Sequence, residues 1–126
     1  ENWEFDAMMP AAGLVSSGKD LLEFVHANLS TKNQAFADAF AQVQQSRIDM
    51  SERKYRRRTW GAYGWFVSTL NENTNQPVVW QNGATGGYRS FIGFVKDTKI
   101  GIVILSNSGN NVEEMGFEIL EILHEK

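Results

Sequence analysis

Apolar and polar positions follow two different periods along this chain, and the change falls near residue 60. In the first half Leu21, Leu22, Val25 and Leu29 recur at helical spacing. They predict a helix over 19–29, capped by Ser16 or Ser17, with Asp20 at its positive end. Phe36, Phe40 and Val43, with alanines between them, predict a second helix over 33–46. A polar stretch, 47–58, follows. Then YGWFVSTL (63–70) reads as a strand, NENTNQP (71–77) as a polar connection and VVWQ (78–81) as a short strand. YRSFIGFV (88–95) and KIGIVILS (99–106) read as stronger strands, joined by a tight turn at Lys96-Asp97-Thr98. The strand at 99–106 carries Ile100, Ile102 and Ile104 on one face and Val103 and Leu105 on the other. Apolar on both faces, it is expected to be central in the sheet and covered on both sides. SNSGN (106–110) is a turn. A last helix, 111–124, is expected to turn Val112, Met115, Ile119, Ile122 and Leu123 inward. The order helix, helix, antiparallel meander, helix predicts an α+β fold, an antiparallel sheet with flanking helices.

Composition narrows the function classes. At 126 residues the chain suits one domain able to bury a core, and 42% hydrophobic with 21% charged residues is ordinary for a globular protein. A formal net charge of -3 gives no global attraction to nucleic acid. There is no cysteine, hence no disulfide framework or thiol chemistry, and no apolar run approaches the ~18 residues a membrane-spanning helix needs. His26 and His124 have no carboxylate or second histidine at ligand spacing, so neither a metal site nor a cofactor is expected. The basic run Arg53-Lys54-Tyr55-Arg56-Arg57-Arg58 has the composition of a phosphate-tracking patch. Against the net charge it reads better as a solvated loop, and an interaction module using residues 53–58 is the alternative function. The chain opens ENWEFDAMM, with neither initiator Met nor signal peptide, which suggests a fragment of something longer.

The stretch VVWQNGATGGYRSFIGF (78–94) carries the main functional question. Asn82-Gly83 between apolar segments is the strongest short hairpin signal, because both residues tolerate positive φ; on that reading no chemistry is needed. The second reading is catalytic, and it comes from the flanking pattern. Pro10-Ala11-Ala12-Gly13-Leu14-Val15-Ser16-Ser17, followed by Asp20-Leu21, resembles the "PAGGL-S-T-x-x-DL" segment of serine β-lactamase and penicillin-binding-protein-like hydrolases, of the class C, esterase-like kind. Tyr63-Gly64-Trp65 resembles their "YGLGW" strand. Trp80-Gln81-Asn82-Gly83-Ala84-Thr85-Gly86-Gly87-Tyr88 is similar to their "W-H-x-G-x-T-G-G-F/Y" segment, and Gly101–Asn107 to their "GVVVLSN" strand. All four matches stand in the family's order and together span nearly the whole chain, which corresponds to the C-terminal part of the family's domain.

The resemblance implies acyl transfer to an active serine, without a cofactor, on a small-molecule ester, amide or β-lactam. Gln81 takes the place of the third motif's Lys or His, Asn82 its middle residue and Gly83 its Gly; Ala84 supplies a backbone N–H to the oxyanion hole. Trp80 and Tyr88 flank this segment and are candidate walls of the substrate groove. Gln81 departs from the family pattern: it carries no charge and cannot act as a base. The family's Ser-x-x-Lys nucleophile has no counterpart in residues 1–126. Ser16-Ser17-Gly18-Lys19 lies in a segment whose serines are helix caps, and Ser108-Gly109-Asn110 is turn chemistry. The chain taken alone is therefore expected to be inactive, and to pair either with a missing N-terminal half or with a second copy through dimerisation or strand exchange. The resemblance places the parent protein in the periplasm or outside the cell.

Overall fold

Six antiparallel strands run in sequence order across one sheet, β1 (Ile48–Asp49), β2 (Thr59–Gly61), β3 (Phe66–Thr69), β4 (Pro77–Thr85), β5 (Tyr88–Val95) and β6 (Ile100–Ser106). Helices α1 (Gly18–Ser30), α2 (Gln34–Val43) and α3 (Glu113–His124) flank it, and a 3-10 turn covers Asp6–Met8. The computed structural model describes residues 6–9, 13–50 and 57–125. Pro10 to Ala12 of the first matched segment and Arg53 to Arg56 of the basic run lie outside the described residues.

Each helix begins where a side chain can serve its free N–H groups. Ser17 caps α1: its Oγ accepts from the Asp20 N–H at 3.2 Å and donates to the Asp20 carboxylate at 2.8 Å. Asn33 Oδ1 does the same for Ala35 and Phe36 in α2. Asn111 Oδ1 accepts from the Glu113 N–H, two residues inside the expected start of α3.

The two sheet faces have separate cores. On one, Val78, Trp80, Phe91 and Val95 meet Phe117 and Leu120 of α3 and Val112 just before it. On the other, Val67, Val79 and Phe94 meet Val25 of α1, with Trp65 and Leu29 at the margin. Two expectations are corrected here. β6 is apolar on both faces because α1 and α3 both cover it, yet among the described residues it is the last strand of the sheet, not a central one. In α3 the inward face is Gly116, Phe117 and Leu120, continued by the N-cap Val112, while Met115, Ile122 and Leu123 are exposed. The polar stretch expected over 47–58 contributes β1, and β2 lies between it and the strand expected from residue 63. The strand expected over 63–70 starts only at Phe66, since Tyr63 and Gly64 form the turn before it, with Gly64 at φ +71°.

Candidate functional site

The Asn-Gly of Gln81-Asn82-Gly83 is not a turn. β4 continues through it to Thr85, and the chain reverses at Gly86-Gly87, where Gly87 supplies the positive φ of 82°. Both residues have local reasons to stay extended. The Asn82 side-chain amide donates to the Glu113 carboxylate at the start of α3. Gly83 faces Ser90, and a Cβ there would come within 2.5 Å of the Ser90 hydroxyl.

Register decides which backbone groups are free. A two-residue loop is closed by a hydrogen-bonded pair, here Thr85 and Tyr88, and such pairs alternate with non-bonded ones along an antiparallel ladder. Gly83 and Gln81 therefore bond to β5, while Ala84 and Asn82 turn their N–H and C=O away from it. On that outer side β3 accompanies β4 only as far as the pair Phe66–Trp80. The chain before β3 has already turned away: the Ala62 N–H donates to the Trp65 carbonyl at 2.8 Å and the Tyr63 N–H to the Val43 carbonyl at 3.0 Å. β3 and β4 thus form a fork. By this register the Ala84 N–H lies on the side of β4 that β3 no longer accompanies. A groove of about 480 Å³ lies at the mouth, lined by Gln81, Gly64, Trp65, Phe66, Ile48 and Met50 among others.

Gln81 sits at the crotch of the fork. Its Nε2 donates to the Gly64 carbonyl at 2.9 Å and its Oε1 accepts from the Asn82 N–H at 2.9 Å. Tyr88 is 61% exposed just past the turn. Trp80 is placed differently from the expectation that it lines the groove. It is 3% exposed, packed among Phe66, Phe91 and Phe117, with its indole N–H donating to the Ser68 hydroxyl at 2.8 Å. Ser68 in turn meets Thr59, which donates to the Arg57 carbonyl. Trp80 anchors the strand from beneath: successive side chains of β4 point to opposite faces of the sheet, and position 80 lies on the face packed against α3. Sequence reading missed Gly64, Ser68 and Arg57 as supports of this segment. Gly64 carried a signal, a glycine immediately before an apolar run.

The two segments that match catalytic motifs in spacing have structural roles. Ser17 is a helix cap, and the Ser108 hydroxyl accepts from the Asn110 N–H at 3.2 Å within the β6–α3 turn. The basic run is not uniformly solvated as expected. Arg57 is half-buried over the Phe117 ring, donates to the Leu70 carbonyl, and pairs with Glu114 at 2.9 Å and Glu121 at 3.5 Å. Among the described residues no cluster of three His, Cys, Asp or Glu side chains fits a metal ion, and no helix is long and apolar enough to cross a membrane.

An antiparallel sheet with helices on both faces is the α+β architecture of β-lactamase and penicillin-binding-protein-like hydrolases. Residues 1–124 match the Beta-lactamase family model, and the chain belongs to that family. Among solved structures it is similar to the octameric penicillin-binding protein homologue from Pyrococcus abyssi, at 21% identity and a TM-score of 0.73 over 88% of this chain. The alignment covers 25% of that protein, so the chain spans about a quarter of its length. No curated protein matches the chain.

Proposed function

We propose that this chain forms one wall of an acyl-transfer cleft in a serine hydrolase, with the Ala84 N–H as an oxyanion donor. The observation that carries the reading is the fork. Ala84 turns its N–H out of the ladder, on a strand held rigidly by β5 and by the Trp80 anchor beneath it. A donor fixed before reaction needs no reorganisation when negative charge develops on a substrate oxygen, which is the source of oxyanion-hole stabilisation. Tyr88 and the residues at the groove mouth are the side chains that would meet the substrate. The substrate is an ester, amide or β-lactam. The nucleophile belongs to polypeptide outside these 126 residues, and the two Ser-bearing motifs present here are engaged in a cap and a turn. The family membership and the octameric state of the Pyrococcus homologue support assembly with further polypeptide or with more copies of this chain.

Two measurements test this. Incubation with a fluorescent penicillin should leave this chain unlabelled; a covalent adduct would place a nucleophile within it. In a form that carries the nucleophile, Ala84→Pro removes the N–H from the side of β4 that makes no ladder bond. It should lower kcat about 10²-fold or more with little change in KM, and an unchanged kcat removes Ala84 from the site.

A further inference from the structure

The fork has a defined width, and one side chain sets it. The last rung between β3 and β4 is Phe66–Trp80. Continuing that register by two residues would place Gly64 opposite Asn82, and the Gly64 carbonyl would receive the Asn82 N–H directly. Instead the Gln81 carboxamide stands between them: its Oε1 takes the Asn82 N–H and its Nε2 reaches the Gly64 carbonyl, each at 2.9 Å. A carboxamide has the donor and acceptor of a peptide group, so it replaces one rung with a longer one of the same polarity. The Gly64 carbonyl is turned to receive it by a left-handed backbone, φ +71°. The next rung along this register would have joined Ala62 to Ala84, but the Ala62 N–H is already committed to Trp65.

We propose that Gln81 is a positioning residue: its side-chain amide is an inserted rung that satisfies Asn82, wedges β3 from β4, and leaves Ala84 as the first unpaired donor of the strand. This rests on the reading of Ala84 as an oxyanion donor for its functional meaning, though not for its geometry. It also reassigns position 81. The family pattern puts a cationic or ring side chain there to meet substrate; here both polar ends of Gln81 are directed at the protein's own backbone.

Amide hydrogen exchange on the intact chain, read residue by residue, tests the assignment without ligand or nucleophile. In the native protein the Asn82 amide should exchange about tenfold more slowly than that of Ala84, as expected for one net hydrogen bond. Gln81→Leu keeps the bulk and removes both bonds. It should bring Asn82 up to the Ala84 rate and shift the Ala84 amide resonance, leaving Gly83 and Thr85, bonded to β5, unchanged. Gln81→Glu keeps the acceptor and should restore Asn82 protection; Gln81→Lys keeps only the donor and should not. Gly64→Ala, which strains the receiving carbonyl, should reproduce the Leu pattern. Equal native rates at Asn82 and Ala84, no change in Gln81→Leu, or uniform acceleration across β4 and β5 would each overturn the proposal. A neutral carbonyl ligand that leaves the Ala84 resonance unmoved, with the exchange pattern intact, would overturn the oxyanion reading alone.

Discussion

Gly83 lacks a side chain for a reason visible without substrate. A Cβ there would meet the Ser90 hydroxyl at 2.5 Å, while the Ser90 Cβ stands clear at 3.8 Å. Gly83→Ala should therefore cost about 1 kcal/mol by overpacking, and adding Ser90→Ala should recover most of it. A double-mutant cycle by denaturant unfolding would show this coupling; strict additivity would mean that the backbone itself rejects a side chain at 83. The basic run divides at the same scale. Arg57→Met strips the cation from Glu114 and Glu121 and the donor from the Leu70 carbonyl, a loss of about 2 kcal/mol because the arginine side chain is 12% exposed. Arg58, exposed with its guanidinium 5.3 Å from the Trp60 ring centroid, should tolerate Ala within about 0.5 kcal/mol. Similar losses at both positions, measured in the same unfolding series, would contradict the distinction.

At the scale of elements, α3 docks through a ring held between glycines. A Cβ on Gly116 would meet the Phe91 ring at 2.5 Å, and one on Gly93 would meet it at 2.6 Å. Phe91 is 1% exposed and cannot move aside, so Gly116→Ala should cost about 2–3 kcal/mol and loosen α3 from the sheet. Thermal unfolding with near-ultraviolet dichroism would register both effects, and a native-like melting curve would show that the helix can shift at little cost. The sequence made α1, α3, β5 and β6 legible through periodicity and caps. It misled where one local signal met two contexts. Asn82-Gly83 has turn chemistry, but the Glu113 carboxylate, 31 residues from Asn82, and ladder pairing of Gly83 with Ser90 keep it in the strand. Ile100 to Leu105 indicated cover on both faces, and a two-sided apolar strand does not reveal whether a further strand lies beside it. The faces of α3 were misjudged because Gly116, silent in a hydrophobic pattern, is the closest approach to the sheet. The candidate segment was found by its resemblance; the fork that gives it meaning depends on where β3 stops, which only the register shows.

For the whole molecule the sheet margins matter most. Among the described residues no strand pairs with the outer edge of β6, where Leu105 is 51% exposed, and the helices covering the strand leave Leu22, Met115 and Ile122 exposed as well. An unpaired edge flanked by apolar side chains favours addition of another strand or another chain. Light scattering at micromolar concentration should find this chain larger than a monomer, and a clean monomer would count against that expectation. The central claim concerns the other side of the sheet, where β4 outruns β3. Two-dimensional amide NMR of the chain, titrated with a neutral carbonyl compound such as phenylacetamide, reads it most directly. A saturable shift centred on Ala84, lost in Ala84→Pro, is the predicted result; shifts that bypass residues 81–84 would contradict an acyl-transfer wall at this edge.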